Sequence, residues 1–126
     1  MINLLLDTNI FLWYFWGSSR IDNIKDLIES EDTTVYISSV SWWEIAIKVR
    51  TGKINLDFEQ LSSAAEKYSF IELPITGKHI KNYFNLPSLH KDPFDHMLLA
   101  QAISTPMRFI TGDSLLAEYS SLVMVI

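Results

Sequence analysis

Ile2-Asn3-Leu4-Leu5-Leu6-Asp7-Thr8-Asn9 begins the chain with an aliphatic run that stops at an acid. The run lacks the polar alternation of a half-exposed strand, so it suits a strand covered on both faces, as in a parallel sheet. Working outward, residues 35–38, 70–73, Arg108–Thr111 and 122–126 have the same short apolar character. Longer segments with helical spacing lie between them. Ile21, Ile24, Leu27 and Ile28 predict a helix over 20–31. Ser39–Arg50 predicts another, ended at Thr51-Gly52 by a C-terminal glycine. Residues 57–68 start at Asp57, a good N-cap, and carry Phe58, Leu61, Ala64, Ala65 and Tyr68 on one face. Residues 76–85 predict a shorter helix. Pro93–Ser104 is the plainest, with Asp92 as N-cap and Pro93 in the first helical position. A short helix over 114–119 precedes the last strand.

Strands alternating with helices imply right-handed crossovers. The expected fold is α/β, one domain over residues 1–126, with a central parallel five-stranded sheet flanked by helices. At 126 residues the chain is long enough to bury a core without staples. Its 48% hydrophobic content, with four Trp, five Tyr and seven Phe, excludes a disordered chain. With no cysteine, thiolate metal sites and cysteine nucleophiles are excluded. The longest apolar run, residues 10–16, falls far short of the roughly 20 residues that span a bilayer. The N-terminal segment has no basic region before its apolar run, so the expected compartment is the cytoplasm and no membrane partner is expected. A net charge of −5 argues against nucleic acid as a partner, unless clustered acids hold a divalent cation that reverses the local charge.

In open parallel sheets ligands bind beyond the carboxyl ends of the strands. Asp7 follows the first strand. Glu44 stands one turn into the helix after Ser38-Ser39, and Asp113 follows Thr111-Gly112. Asp95 lies in the first turn of the Pro93 helix. Each acid also has a structural reading. Asp7 and Asp113 are placed to cap the helices that follow them, and Asp95 to complement a helix dipole. Glu44 is placed to close a capping box with Ser41, or to pair with Lys48 at i,i+4. Caps explain acids at helix starts, but not why every such start follows a strand on one rim. Two carboxylates about 5 Å apart repel by roughly 3 kcal/mol at an effective dielectric near 20. Four together retain protons unless a cation sits among them. All-oxygen ligation suits Mg²⁺ or Mn²⁺, ions that activate water for phosphodiester hydrolysis. Thr8, Asn9 and Thr111 are placed to orient the carboxylates or a water.

Four segments, in order, resemble the PIN-domain ribonucleases of the VapC toxin type. They are Leu5-Leu6-Asp7-Thr8-Asn9, the stretch Ser38 to Lys48 containing Trp42-Trp43-Glu44, the stretch His90 to Ala102 containing Asp92-Pro93-Phe94-Asp95, and Thr111-Gly112-Asp113. The resemblance spans nearly the whole chain, and Asp-Pro-Phe-Asp is its most specific part. It implies that Asp7, Glu44, Asp95 and Asp113 are the acidic metal-site positions. It further implies RNA hydrolysis with Mg²⁺ or Mn²⁺, a homodimer, and inhibition by a cognate antitoxin protein. Two departures stand out. His96 occupies a position where relatives often have Arg, which would make a phosphate or antitoxin contact weaker or pH-dependent. Gly112 gives a permissive backbone before Asp113. Asp92 reads as the N-cap rather than a fifth ligand.

His79, His90 and His96 have no metal-ligand spacing, and no nucleophile-elbow motif is present. The aromatic run Phe11, Trp13, Tyr14 and Trp16 cannot all face inward, so part of it is expected at a contact surface. An antitoxin segment, a dimer partner and stacked RNA bases are the open readings. Trp42 and Trp43 point about 100° apart on a helix, so one is expected inside and one out. Lys48, Arg50 and Lys53, with Lys78 and Lys81, are either solvated charge or an RNA-backbone track. A phospho-accepting receiver domain lacks its paired acids here, and an aspartyl phosphatase lacks Asp-x-Asp. The remaining alternative is a non-catalytic PIN-like interaction module acting through its aromatic surface.

Overall fold

The computed structural model describes residues 1–87 and 92–126. Its sheet contains β1 (Ile2–Leu6), β2 (Thr33–Ser38), β3 (Ile71–Leu73), β4 (Arg108–Thr111) and β5 (Val123–Val125). The strands are all parallel, in the order β3-β2-β1-β4-β5. The helices are α1 (Thr8–Phe15), α2 (Lys25–Glu29), α3 (Ser39–Arg50), α4 (Phe58–Lys67), α5 (Gly77–Asn85) and α6 (Pro93–Ser104). The expected α/β architecture is the one observed.

The central position of β1 explains its aliphatic run Leu4–Leu6. Leu4 and Leu6 enter a core with Ile10, Phe11, Ile45, Leu61 and Ile110, while Leu5 enters a second core with Leu98, Leu99, Ala102 and Phe109. All three leucines are fully buried, so neither face has room for a polar residue. Burying a leucine contributes roughly 1.5–3 kcal/mol, which makes this strand the energetic centre of the sheet.

Connections from β1 run one way to β2 and β3, and the other way to β4 and β5. The order therefore reverses between β1 and β4, and a cleft opens there at the carboxyl ends of the strands. Asp7 begins α1 at this point, and Asp113 begins a 3-10 turn, Ser114–Glu118, beside it.

Several local expectations are corrected. The helix expected over 20–31 is a 3-10 turn, Ser19–Ile21, followed by α2. Asp22 and Asn23 lie in the break, and such side chains compete with helical hydrogen bonds. Ile21, Ile24 and Ile28 stay buried nonetheless, so the apolar spacing reports packing without backbone continuity. The short helix at 114–119 is likewise a 3-10 turn. The edge strands are not covered on both faces, because Ile71 on β3 and Val125 on β5 are exposed. Phe70 falls outside β3, since its N–H donates to Ala65 and closes the end of α4.

Candidate metal centre at the carboxyl edge of the sheet

Asp7 sits at the C-terminal end of β1, where its backbone N–H still donates to Ile110 of β4. Its side chain caps α1: Thr8 N donates to Oδ1 at 2.7 Å. Thr111 Oγ1 donates to Oδ2 at 2.6 Å. Burial pushes the carboxyl up to about 6, against the lowering effect of these two donors. The charges of Glu44 and Asp92 add to the rise.

Glu44 stands in α3, buried against α1. Thr8 Oγ1 donates to its Oε1 at 2.7 Å and lies 2.9 Å from Ser41 Oγ. Lys48 Nζ is 3.0 Å from Oε2, one turn along the same helix. The i,i+4 pairing is therefore present, and the capping box with Ser41 is not. Ser38 caps α3 by accepting from Val40 N, which leaves Ser41 inside the helix.

Asp92 caps α6, accepting from Phe94 N at 2.9 Å. Asp95 follows in the first turn, and its carboxyl is pushed up to about 8. Burial is the largest cause, followed by the negative charges of Asp7, Asp92, Glu44 and Asp113. Asp113 caps its 3-10 turn through Leu115 N at 3.0 Å, and its own N–H donates to Thr111 Oγ1 at 3.1 Å. Thr111 thus bridges Asp7 and the Asp113 loop.

The five acids line one cavity of about 390 Å³, whose walls also include Thr8, Asn9, Trp13 and Lys48. A cavity of the same size beneath α4 is walled by Trp42, Phe58 and Phe70, and its only acids among the described residues are Glu66 and Glu72, so chemistry rather than volume marks the site. The fold brings Asp7, Glu44, Asp95 and Asp113 to one place, with Thr8 and Thr111 bonded to carboxylates. Asp92, assigned only a cap from sequence, also faces this cavity; its proximity to Asp95 was the available signal. Among the described residues, no three carboxylate or imidazole groups converge closely enough to share one ion as they stand. The oxygen-only donor set, and the rise of Asp7 and Asp95 under burial and their neighbours' charge, nevertheless fit a hard divalent cation, the species that would relieve the repulsion.

Other expectations resolve differently. Gly112 does not adopt a left-handed backbone. It is small because a Cβ there would stand 3.3 Å from Trp13 Cη2. His96 is buried between Tyr83 and Tyr119, with Nε2 3.2 Å from the Tyr119 hydroxyl, and does not line the cavity. His79 Nδ1 accepts from Thr76 N at 3.1 Å and caps α5. His90 lies outside the described residues. Trp42 packs inside, edge-on to Phe11 and Phe58, and Trp43 is 61% exposed. Arg50, Lys53, Lys78 and Lys81 are exposed and do not line the cavity. Sequence reading missed Arg20, whose guanidinium lies 4.9 Å from the Trp13 ring centre. Its position depends on the break between Ile21 and α2, which spacing did not reveal.

No helix among the described residues is long and apolar enough to cross a membrane. No curated protein matches the chain in sequence. Solved structures of like fold include the following three. VapBC2 from Rickettsia felis, bound to a promoter DNA fragment, has a TM-score of 0.74 at 18% identity, covering 99% of this chain and 98% of that one. A toxin–antitoxin complex from Klebsiella pneumoniae has a TM-score of 0.71 at 20% identity, covering 97% and 96%. FitAcB from Neisseria gonorrhoeae has a TM-score of 0.71 at 18% identity, covering 98% and 96%. The family model of the PIN domain matches residues 4–122, so almost the whole sequence carries the family's pattern, and the chain belongs to the PIN domain family.

Proposed function

We propose that this chain is a Mg²⁺- or Mn²⁺-dependent endoribonuclease and the VapC-type toxin of a toxin–antitoxin pair, acting in the cytoplasm. The observation that carries the reading is the convergence of five carboxylates on one cavity at the reversal of strand order, with Asp95 and Asp7 both raised by burial and by their neighbours' charge. Asp7, Glu44, Asp95 and Asp113 are the residues that would hold the ion. A bound divalent ion supplies an activated water and stabilises the leaving oxygen of a phosphodiester. Thr111 and Thr8 orient the Asp7 and Glu44 carboxylates by donating to them. Asp92 fixes the start of α6 and so the position of Asp95. Lys48 balances part of the acid charge through Glu44.

An antitoxin partner is supported by the toxin–antitoxin complex among the structures of like fold. Exposed Trp43 and Ile47, one turn apart on α3, offer apolar surface for such a partner. Ile80 and Phe84, one turn apart on the outer face of α5, are the corresponding feature for a homodimer. The competing reading, a non-catalytic module that acts only through such surfaces, draws on Glu44 being already paired with Lys48.

One experiment separates them. Protein purified free of any partner is incubated with RNA in Mg²⁺ or Mn²⁺ against EDTA, alongside Asp95→Asn and Asp7→Asn. Metal-dependent cleavage that both variants lose supports the nuclease. A protein that neither binds a divalent ion nor cleaves RNA refutes it.

A further inference from the structure

We propose that Trp13 and Arg20 together grip the RNA strand at the rim of the carboxylate cavity, Trp13 by stacking a base and Arg20 by holding a neighbouring phosphate. This rests on the nuclease reading for its substrate, but it makes a separate claim about binding.

Trp13 is the one aromatic among the described residues that line the cavity. It reaches the cavity from α1, and its ring edge lies against Gly112, in the loop that carries Asp113. The glycine leaves the ring room to approach; a Cβ there would meet the ring at 3.3 Å and oblige it to give by a few tenths of an ångström. Arg20 reaches Trp13 from the 3-10 turn after α1, held by Ser18, which accepts from Arg20 N at 3.2 Å. Its guanidinium lies 4.9 Å from the indole centre. Arg20 is exposed, and among the described residues it makes no ion pair, although Trp13 borders a cavity walled by five acids. Lys48, the one cation among the described residues that line the cavity, is committed to Glu44. Arg20 is thus a cation beside the site that remains available to a phosphate.

A polynucleotide that presents one phosphodiester to the carboxylates must lay its next base and phosphate across the cavity wall. Trp13 supplies an aromatic surface and Arg20 a planar fork of donors matched to phosphate oxygens. In the free chain the exposed guanidinium lies over the indole ring, so an incoming base takes that face as Arg20 turns to the neighbouring phosphate.

The test uses a short fluorescein-labelled single-stranded oligoribonucleotide, with anisotropy read in Mg²⁺ over a salt series in the Asp95→Asn background. Relative to that parent, Trp13→Leu is expected to weaken binding about five-fold or more, with Trp13→Phe restoring most of it. Arg20→Gln is expected to weaken binding and to flatten the slope of log affinity against log salt by about 0.7, the loss of one phosphate contact on a single strand. Arg20→Lys keeps the slope. Arg108→Gln removes an equal charge at the amino end of β4, at the opposite edge of the sheet, and is expected to change nothing. In the otherwise unaltered chain, Trp13→Leu raises KM with kcat held. Arg20 is exposed, so Arg20→Gln tests the proposal even if Trp13→Leu fails to fold. The proposal is overturned if Arg20→Gln binds like the parent, if Arg108→Gln loses as much as Arg20→Gln, or if the parent binds no oligonucleotide. Binding with the expected dependence but no cleavage by the unaltered chain would sink the nuclease reading and leave the grip standing.

Discussion

The Thr111 hydroxyl donates to Asp7 Oδ2 at 2.6 Å, joining the ends of β4 and β1 across the point where strand order reverses. Both residues are buried, and the same hydroxyl accepts from Asp113 N. One side chain therefore sets the position of one carboxylate and the loop of another. Thr111→Val keeps the shape and removes the bond. Because donation from Thr111 lowers the Asp7 pKa, its loss moves that carboxyl further above about 6. Divalent-ion affinity at neutral pH is expected to fall, and stability by about 1–3 kcal/mol, the cost typical of losing a hydrogen bond to a charged group. Calorimetric Mg²⁺ titration and chemical denaturation check both; unchanged ion affinity would remove Thr111 from the site.

Asp95 gives a pH dependence whose sign is fixed. Its folded pKa, about 8, lies above the ordinary aspartate value of 3.8, so the folded chain holds more protons than the unfolded one between those limits. Its contribution to stability is fully present below 3.8 and is lost as pH rises through about 8. Asp95→Asn abolishes the charge, so it is expected to raise Tm at pH 8 and to change it little at pH 4, while removing RNA cleavage. Mg²⁺ must displace the carboxyl proton, so its binding at pH 7 is expected to release protons, measurable as a buffer-dependent heat. Buffer-independent heats would contradict the raised carboxyls.

His79 runs the opposite way. Burial, then Lys78, lowers its pKa against a raising contact with the Pro74 carbonyl. The neutral ring accepts the Thr76 N–H that begins α5, a bond that a second proton would abolish. The stability it contributes is present above 6.5 and is lost as pH falls through its lowered folded value. Thr76→Ala is expected to cost about 1 kcal/mol at neutral pH, the usual loss of an N-cap. His79→Gln should remove the part of the acid-induced fall in Tm below pH 6.5 that His79 causes. Superimposable pH profiles for His79→Gln and the parent would exclude His79 as its source.

The parts legible in sequence are those where local chemistry and burial agree. The aliphatic run ending at Asp7 marked a doubly covered strand, and Asp92-Pro93 marked the start of α6 to the residue. Asp7 and Asp113 proved to be caps and cavity-lining acids at once, so the two readings of each were never exclusive. The illegible parts depend on contacts between segments distant in sequence. Ser41 looked like a cap until Ser38 took that role, and its hydroxyl is instead next to Thr8 from another helix. Ile21 to Ile28 has helical spacing, but packing against the sheet tolerates a break that spacing cannot register. The role of Gly112 is set by a tryptophan 99 residues earlier, and the position of Arg20 by that same ring.

Trp43 offers a way to separate the proposed partner surface from the proposed chemistry. It is 61% exposed, lies edge-on to Phe94 at 5.4 Å, and shares the outer side of α3 with Ile47. It does not line the carboxylate cavity, whereas Glu44, the next residue, does. Adjacent helical residues point about 100° apart, so α3 presents an acid to the cavity and an indole to solvent. An exposed tryptophan is the residue type that most often dominates an interface, at 2 kcal/mol or more, or roughly 30-fold in affinity. If the proposed function holds, Trp43→Ser is expected to weaken the complex with an antitoxin partner by about that factor while leaving Tm and metal-dependent RNA cleavage near those of the parent. Pull-down and calorimetry with purified antitoxin measure the first, and a cleavage time course measures the second. Full antitoxin affinity in Trp43→Ser would move the partner surface elsewhere. Lost cleavage with an unchanged Tm would place Trp43 in substrate binding.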